Sequence, residues 1–90
     1  VKIIELSAYP NPFNPQTTIS WETDLHSNID LQIFNMKGQL VKDYFNLPNS
    51  GSVIWLGKDN QGKDAATGTY IYRLFCDETI LGSKKITLIK

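Results

Sequence analysis

Thr69-Tyr70-Ile71-Tyr72-Arg73-Leu74-Phe75-Cys76 is the stretch that decides the fold class. Its side chains alternate, with Tyr70, Tyr72, Leu74 and Cys76 on one face and Ile71, Arg73 and Phe75 on the other, which is the period of an extended strand. Helical spacing nowhere persists for the ten or so residues that a helix needs. Downstream, Asp77-Glu78-Thr79 turns the chain into a last strand through Ile80-Leu81 and on to Ile86 and Leu88. Upstream, Gly57 to Asp64 is polar and turn-rich, and it follows an alternating run, Ser52-Val53-Ile54-Trp55-Leu56. Leu47 to Gly51 is a cluster of turn formers. Before it, Ile29 to Ile33 and Gln39 to Phe45 read as a β-hairpin reversed at Asn35-Met36-Lys37-Gly38, where Gly38 supplies the positive φ of a tight turn. Thr17 to Glu22 puts Ile19 and Trp21 on a core face, and a first strand lies around Ile3 to Leu6. About seven short strands with turns every 8–12 residues or so predict an all-β chain, an immunoglobulin-like or fibronectin-like antiparallel β-sandwich.

Composition narrows the function. Ninety residues leave room for one small domain, read here as residues 1–90 cut from a longer secreted protein. Nine basic and nine acidic residues cancel, so no overall positive field gathers nucleic acid or an anionic lipid surface. With 41% hydrophobic residues the chain is too apolar for a disordered segment, yet it has no continuous apolar run of about 20 residues to serve as a transmembrane segment. One cysteine excludes an internal disulfide and a multi-thiolate zinc site, and one histidine excludes a two-histidine metal site.

Tests for reactive chemistry return little. His26 lies in the polar segment Asp24 to Asn28, with no nucleophile elbow or cysteine partner, and reads as a surface residue. Cys76 is in phase with Tyr70, Tyr72 and Leu74 and reads as a small apolar strand residue. Asp59-Asn60-Gln61-Gly62-Lys63-Asp64 resembles a fragment of a calcium loop, but the bidentate Glu expected six residues beyond the Gly is replaced by Gly68, so a chain reversal over Asn60 to Gly62 is the better reading. Exposed tryptophans would make a sugar-stacking platform. Trp21 and Trp55 instead alternate in step with Ile19 and Val53, which points both into the core. These readings predict no catalytic residue, no metal site and no cofactor.

The most unusual segment is Tyr9-Pro10-Asn11-Pro12-Phe13-Asn14-Pro15, with three of the four prolines of the chain. Each proline fixes its own φ and extends the residue before it, while Asn11 and Asn14 can bond nearby backbone, so the segment reads as a stiff connection between the first two strands. Together with Ile33-Phe34-Asn35-Met36-Lys37-Gly38-Gln39-Leu40-Val41, Gly68-Thr69-Tyr70-Ile71-Tyr72-Arg73-Leu74 and Lys84-Lys85-Ile86-Thr87-Leu88-Ile89-Lys90, it resembles, in the same order, the type A C-terminal sorting domain of the type IX, or Por, secretion system. The stretch Trp55 to Lys63 is also similar to the Trp-Asp-Gly pattern of related flagellar hook-capping immunoglobulin-like domains, with Leu56 in place of the usual Asp.

The resemblance implies a non-catalytic secretion and sorting signal. Such a domain directs an upstream cargo domain of the same chain through the periplasm and across the outer membrane. Its implied partners are the outer-membrane type IX translocon and a sortase-like protease, which in many members removes the domain and attaches the cargo to the cell surface. Carried over by position, the sorting-motif residues are Tyr9, Pro10, Asn11, Pro12, Phe13, Asn14, Pro15, Asn35, Met36, Lys37, Gly38, Gln39, Gly68, Tyr70, Tyr72, Lys84, Lys85 and Lys90. Lys84, Lys85 and Lys90 also give a neutral domain one basic end, a pattern that by itself discourages edge-to-edge aggregation. The alternative from residues alone is an accessory sandwich that stabilises, spaces or attaches a secreted enzyme, with polysaccharide as its ligand.

Overall fold

The computed structural model describes residues 3–89, in which seven strands form. They are β1 (Ile3–Tyr9), β2 (Thr17–Thr23), β3 (Ile29–Asn35), β4 (Leu40–Leu47), β5 (Ser50–Trp55), β6 (Gly68–Cys76) and β7 (Thr79–Leu88). β1-β2-β5 and β4-β3-β6-β7 make two antiparallel sheets, and the chain changes sheet between β2 and β3, β4 and β5, and β5 and β6. This is the immunoglobulin-like sandwich that the strand spacing predicts.

Alternation decides which residues meet between the sheets. Ile19, Trp21 and Trp55 come from the three-stranded sheet, and Ile29, Leu31, Ile33, Tyr70, Tyr72, Leu74, Ile86 and Leu88 from the other, all 5% exposed or less. Each fully buried side chain of this size contributes roughly 1.5–3 kcal/mol relative to exposure. Both indoles are therefore core groups, and each N–H finds a carbonyl: Trp21 Nε1 donates to Pro48 O at 2.9 Å and Trp55 Nε1 to Lys58 O at 2.9 Å. His26 is exposed, and Cys76 is half-buried at the edge of the core with its Sγ 3.5 Å from Ser27 Oγ.

Element boundaries move where a side chain intervenes. β1 continues three residues beyond Leu6, so Tyr9 ends a strand, paired with Thr18, instead of opening the connection. β4 begins after Gln39, because the Asn35 side chain holds the Gln39 N–H and amide in the turn. β5 ends at Trp55, one residue early, where the chain bends through Gly57 at φ 70° and Lys58 O meets the indole.

The largest departure is the proline-rich segment. Its three X-Pro bonds, Tyr9-Pro10, Asn11-Pro12 and Asn14-Pro15, are cis. The segment is more than a stiff connection, because Phe13 is 2% exposed and sits in the core. Its backbone pairs with the end of β7: Phe13 N–H donates to Thr87 O at 2.9 Å, Ile89 N–H donates to Phe13 O at 3.0 Å, and Phe13 forms a parallel bridge with Leu88. Asn11 likewise bonds no neighbour in sequence. Its Nδ2 donates to Lys85 O at 3.3 Å and its Oδ1 accepts from Thr87 N at 3.0 Å. A segment with three prolines has few local backbone donors to bond, so the Asn11 side-chain amide and the Phe13 backbone bond the nearest unpaired edge, which is β7.

Replacing Phe13 or Trp55 by Ala is expected to cost about 3–5 kcal/mol, a large part of the roughly 5–15 kcal/mol that holds a domain folded. Tyr9→Ala, at a side chain 82% exposed, should stay within about 0.5 kcal/mol. Urea titrations followed by far-ultraviolet circular dichroism check the contrast, and a small loss for Phe13→Ala equal to that of Tyr9→Ala would show the segment to be only a tether.

Candidate functional site

Antiparallel connectivity sends the ends of β1, β3, β5 and β7 to the same end of the sandwich. That end carries the Tyr9 to Pro15 segment, the Asn35 to Gln39 turn, the long β5–β6 connection and the last residues of β7. Most of the residues singled out as a sorting motif lie there, beside a packed group of three aromatic rings. Phe13 and Trp55 lie 5.3 Å apart at 50°, and Trp55 and Tyr70 lie 5.3 Å apart edge-on at 77°. Such tilted pairs add about 0.5–1.5 kcal/mol each to their area burial. Tyr70 is anchored at its far end by a hydrogen bond from its hydroxyl to Ala66 O, and Thr17 Oγ1 donates to Pro10 O at 2.8 Å.

The Asn35 turn has a twin that its sequence conceals. In Asn35-Met36-Lys37-Gly38-Gln39, Asn35 Oδ1 accepts the N–H groups of Lys37 (2.9 Å) and Gln39 (3.0 Å), Gly38 N donates to Asn35 O (3.0 Å), and Asn35 N donates to Gln39 O (3.0 Å). In Asp59-Asn60-Gln61-Gly62-Lys63, Asp59 Oδ1 accepts from Gln61 N (2.9 Å) and Lys63 N (2.9 Å), Gly62 N donates to Asp59 O (3.0 Å), and Asp59 N donates to Lys63 O (2.8 Å). The glycines sit at φ 82° and 84°, where a Cβ is disfavoured. The shared rule is Asx-x-x-Gly-x, with an acceptor oxygen at the first position and left-handed backbone at the fourth. The calcium-like segment is thus a turn whose carboxylate serves its own backbone, as the reversal over Asn60 to Gly62 predicts. From it, Asn60 reaches β4, donating to Val41 O (3.0 Å) and accepting from Asp43 N (3.2 Å), so the second loop caps an edge strand. Lys58 and Asp64 close its base with an exposed ion pair at 2.6 Å.

Among the described residues, three of the motif lie away from this end. Tyr72 lies mid-sheet, fully in the core, and Lys84 and Lys85 project from the middle of the edge strand β7, opposite Tyr72 and Ile71. Gly68, at φ 154°, starts β6 opposite Leu88. Tyr9, Asn14, Pro15, Met36 and Lys37 are exposed, and Lys90 lies outside the described residues. Burial pushes the phenol pKa values of Tyr44, Tyr70 and Tyr72 above their ordinary value of 10.0. This end holds aromatic packing and amides that serve the backbone.

A family model described as the secretion system C-terminal sorting domain matches residues 7–89. Among solved structures, the fold superimposes on PorZ, an essential bacterial surface component of the type IX secretion system of Porphyromonas gingivalis, with a TM-score of 0.69 and 19% identity over 94% of this chain and 11% of that one. Dimeric latent PorU of the same organism gives a TM-score of 0.77 and 18% identity over 93% of this chain and 9% of that one. The alkylpurine DNA glycosylase AlkC of Pseudomonas fluorescens, bound to DNA, gives 0.67 and 15% over 99% of this chain and 30% of that one. At these identities the likenesses are of fold, and the chain spans about a tenth of the PorZ and PorU chains. A comparison with curated protein sequences gives no match.

Two outcomes are expected. Asn35→Ala removes an acceptor shared by two backbone N–H groups and should cost about 1–2 kcal/mol, whereas Asn35→Asp, which copies the twin loop, should cost less than half as much in the same urea titration. The raised phenol pKa values mean that the unfolded chain gives up these protons first. The contribution of these phenols to stability is then full below about pH 10 and is lost above it, and Tyr72→Phe makes the fall above about pH 10 shallower. An unchanged slope in that variant would place the ionisation elsewhere.

Proposed function

Because this chain belongs to the family of C-terminal sorting domains of the type IX secretion system, we propose that it is a non-catalytic label, recognised in its folded state, that directs the cargo domain preceding it through the periplasm and the outer membrane. The observation that carries this reading is the family match over residues 7–89; it is supported by the shared end of the sandwich at which the Tyr9 to Pro15 segment and the start of β6 meet, where Phe13, Trp55 and Tyr70 pack together. A label of this kind needs a rigid shape more than reactive groups, and rigidity is what the twin turns and the aromatic contacts supply. The outer-membrane translocon reads that end together with Lys84 and Lys85 on the edge strand β7. A sortase-like protease then separates the label from cargo that is attached to the cell surface or released. The accessory, polysaccharide-binding role draws no support from Trp21 and Trp55, which are 2% and 1% exposed.

Deleting Ile86 to Lys90 is a poor test, since Ile86 and Leu88 are core residues whose loss unfolds the label. The informative experiment fuses the chain to a periplasmic reporter in a bacterium with a type IX system. The reporter is expected outside the cells when fused and in the periplasm when unfused. Lys84→Glu with Lys85→Glu should cut export about tenfold while leaving the circular dichroism spectrum and urea midpoint unchanged. A fused reporter that stays in the periplasm refutes the sorting role, and full export of the charge-reversed variant removes the two lysines from the recognised surface.

A further inference from the structure

The three-stranded sheet is one strand short of the sheet it covers. β1 packs beside β7 across the sandwich, so three strands laid over four leave β4 with no strand opposite it. Burial shows the gap. Lys42 and Tyr44 lie on the inward face of β4, paired with Ile33 and Leu31, which are 0% exposed, yet no residue of β4 is itself buried. Lys42, Tyr44, Ile54 and Leu56 line an open cleft of about 320 Å³ between the edges of β4 and β5, and Ile54 and Leu56 are each 53% exposed.

Of the four strand edges, the one beside this cleft is the one left open. On β4, Asn60 bonds Val41 O and Asp43 N–H; on β7, Asn11 bonds Lys85 O and Thr87 N–H. Both strands also have irregular register, while β1 shifts between Ile3 and Glu5 and lies against β7. β5 keeps an unbroken register from Ser50 to Trp55 and carries no charged side chain. The bond from Thr23 N–H to Asn49 O sets the phase of its ladder. Gly51, Val53 and Trp55 therefore bond β2, and the N–H and C=O groups of Ser50, Ser52 and Ile54 point outward. Among the described residues none bonds these outward groups. A straight, uncharged and unpaired edge is a template for β-addition.

Charge selects the added strand. The Lys42 ammonium lies 5.4 Å from the centre of the Tyr44 ring and, among the described residues, meets no carboxylate. A carboxylate brought into the cleft would give it a charge-assisted hydrogen bond. The inward row of a second β5 offers only Gly51, Val53 and Trp55, which leave this charge unanswered. We propose that the edge of β5 binds an extended segment of a partner polypeptide, a fourth strand whose inward side chains include an aspartate or glutamate that meets Lys42. Ser50 to Ile54 gives that strand roughly 17 Å to pair along. The surface lies on the side of the sandwich away from β7 and is separate from the two lysines assigned to sorting.

Amide NMR spectra of the chain test this with a blocked hexapeptide of alternating threonine and valine in which glutamate replaces the middle valine. The Ser52 and Ile54 signals are expected to shift and to saturate below about 1 mM peptide, and their hydrogen exchange to slow about tenfold. Lysine in place of the glutamate should weaken binding about tenfold, and Lys42→Glu should reverse that preference, an outcome that loss of fold cannot mimic. Ser52→Pro removes an outward N–H that the fold does not use, so it should abolish binding and leave the urea midpoint unchanged. Absence of saturable shifts overturns the proposal, as does binding that is indifferent to the charge at Lys42 or centred on β7. Shifts at β5 that grow with the concentration of the chain alone overturn it too, and assign the edge to a second copy. The experiment uses the isolated chain in solution, so failure here leaves the sorting role standing, and failure of reporter export leaves this site standing.

Discussion

Everything at the motif-bearing end depends on where Phe13 is held. Its ring packs between the end of β7 and Trp55, and its N–H and carbonyl are fixed by Thr87 and Ile89. The contact joins the first connection of the chain to the last strand across more than seventy residues, so it fastens together two segments that a sandwich edge would otherwise leave loose. Burial of one phenylalanine is worth roughly 1.5–3 kcal/mol, and its two backbone hydrogen bonds about 1 kcal/mol each. In a domain with no disulfide, contacts of that size have to do what crosslinks do in other small exported folds. The constraint also explains the prolines beside it: a segment whose φ angles are restricted loses less entropy on docking than a flexible one does.

Period-two alternation makes the sandwich legible in the sequence, because each strand buries one face and a single residue's slip would expose all of it. Trp21, Trp55, Tyr70, Tyr72 and Leu74 could be assigned to the core on that ground alone. Phe13 could not. It belongs to no alternating run, and the prolines around it signal an irregular backbone with no period to orient its side chains. The long-range bonds of Asn11 were hidden for the same reason: a short amide is expected to bond locally, and the register that brings β7 within reach is a property of the whole fold.

The twin loops show a different limit. Asn35 to Gln39 and Asp59 to Lys63 share two features, an Asx side chain and a glycine three residues later, while the residues between differ in charge and size. The oxygen-bearing side chains of the second loop resemble part of a cation loop, yet the Asp59 carboxylate is committed to two backbone N–H groups, in keeping with the chain reversal read from the sequence. The signal that separates the readings is the spacing of Asx to Gly, which a turn shares and an ion-binding loop with further ligands does not. Asn60 then gives the loop a second task, satisfying Val41 and Asp43 on the rim of β4 as a neighbouring strand would.

A motif that builds the fold and a motif that is read by a partner leave the same trace in a sequence, but they differ in burial. Phe13, Tyr70 and Tyr72 are inside, and Asn11, Asn35, Gln39 and Gly38 serve the backbone. With about 5–15 kcal/mol holding a domain folded, loss of any buried member removes shape and recognition together, so these residues cannot by themselves report what is recognised. Tyr9, Met36, Lys37, Lys84 and Lys85 are different, because their side chains lie exposed on ends and edges that the fold has already fixed. A recognition surface on this sandwich must therefore be drawn from the exposed subset, while the buried subset sets the distances between its members.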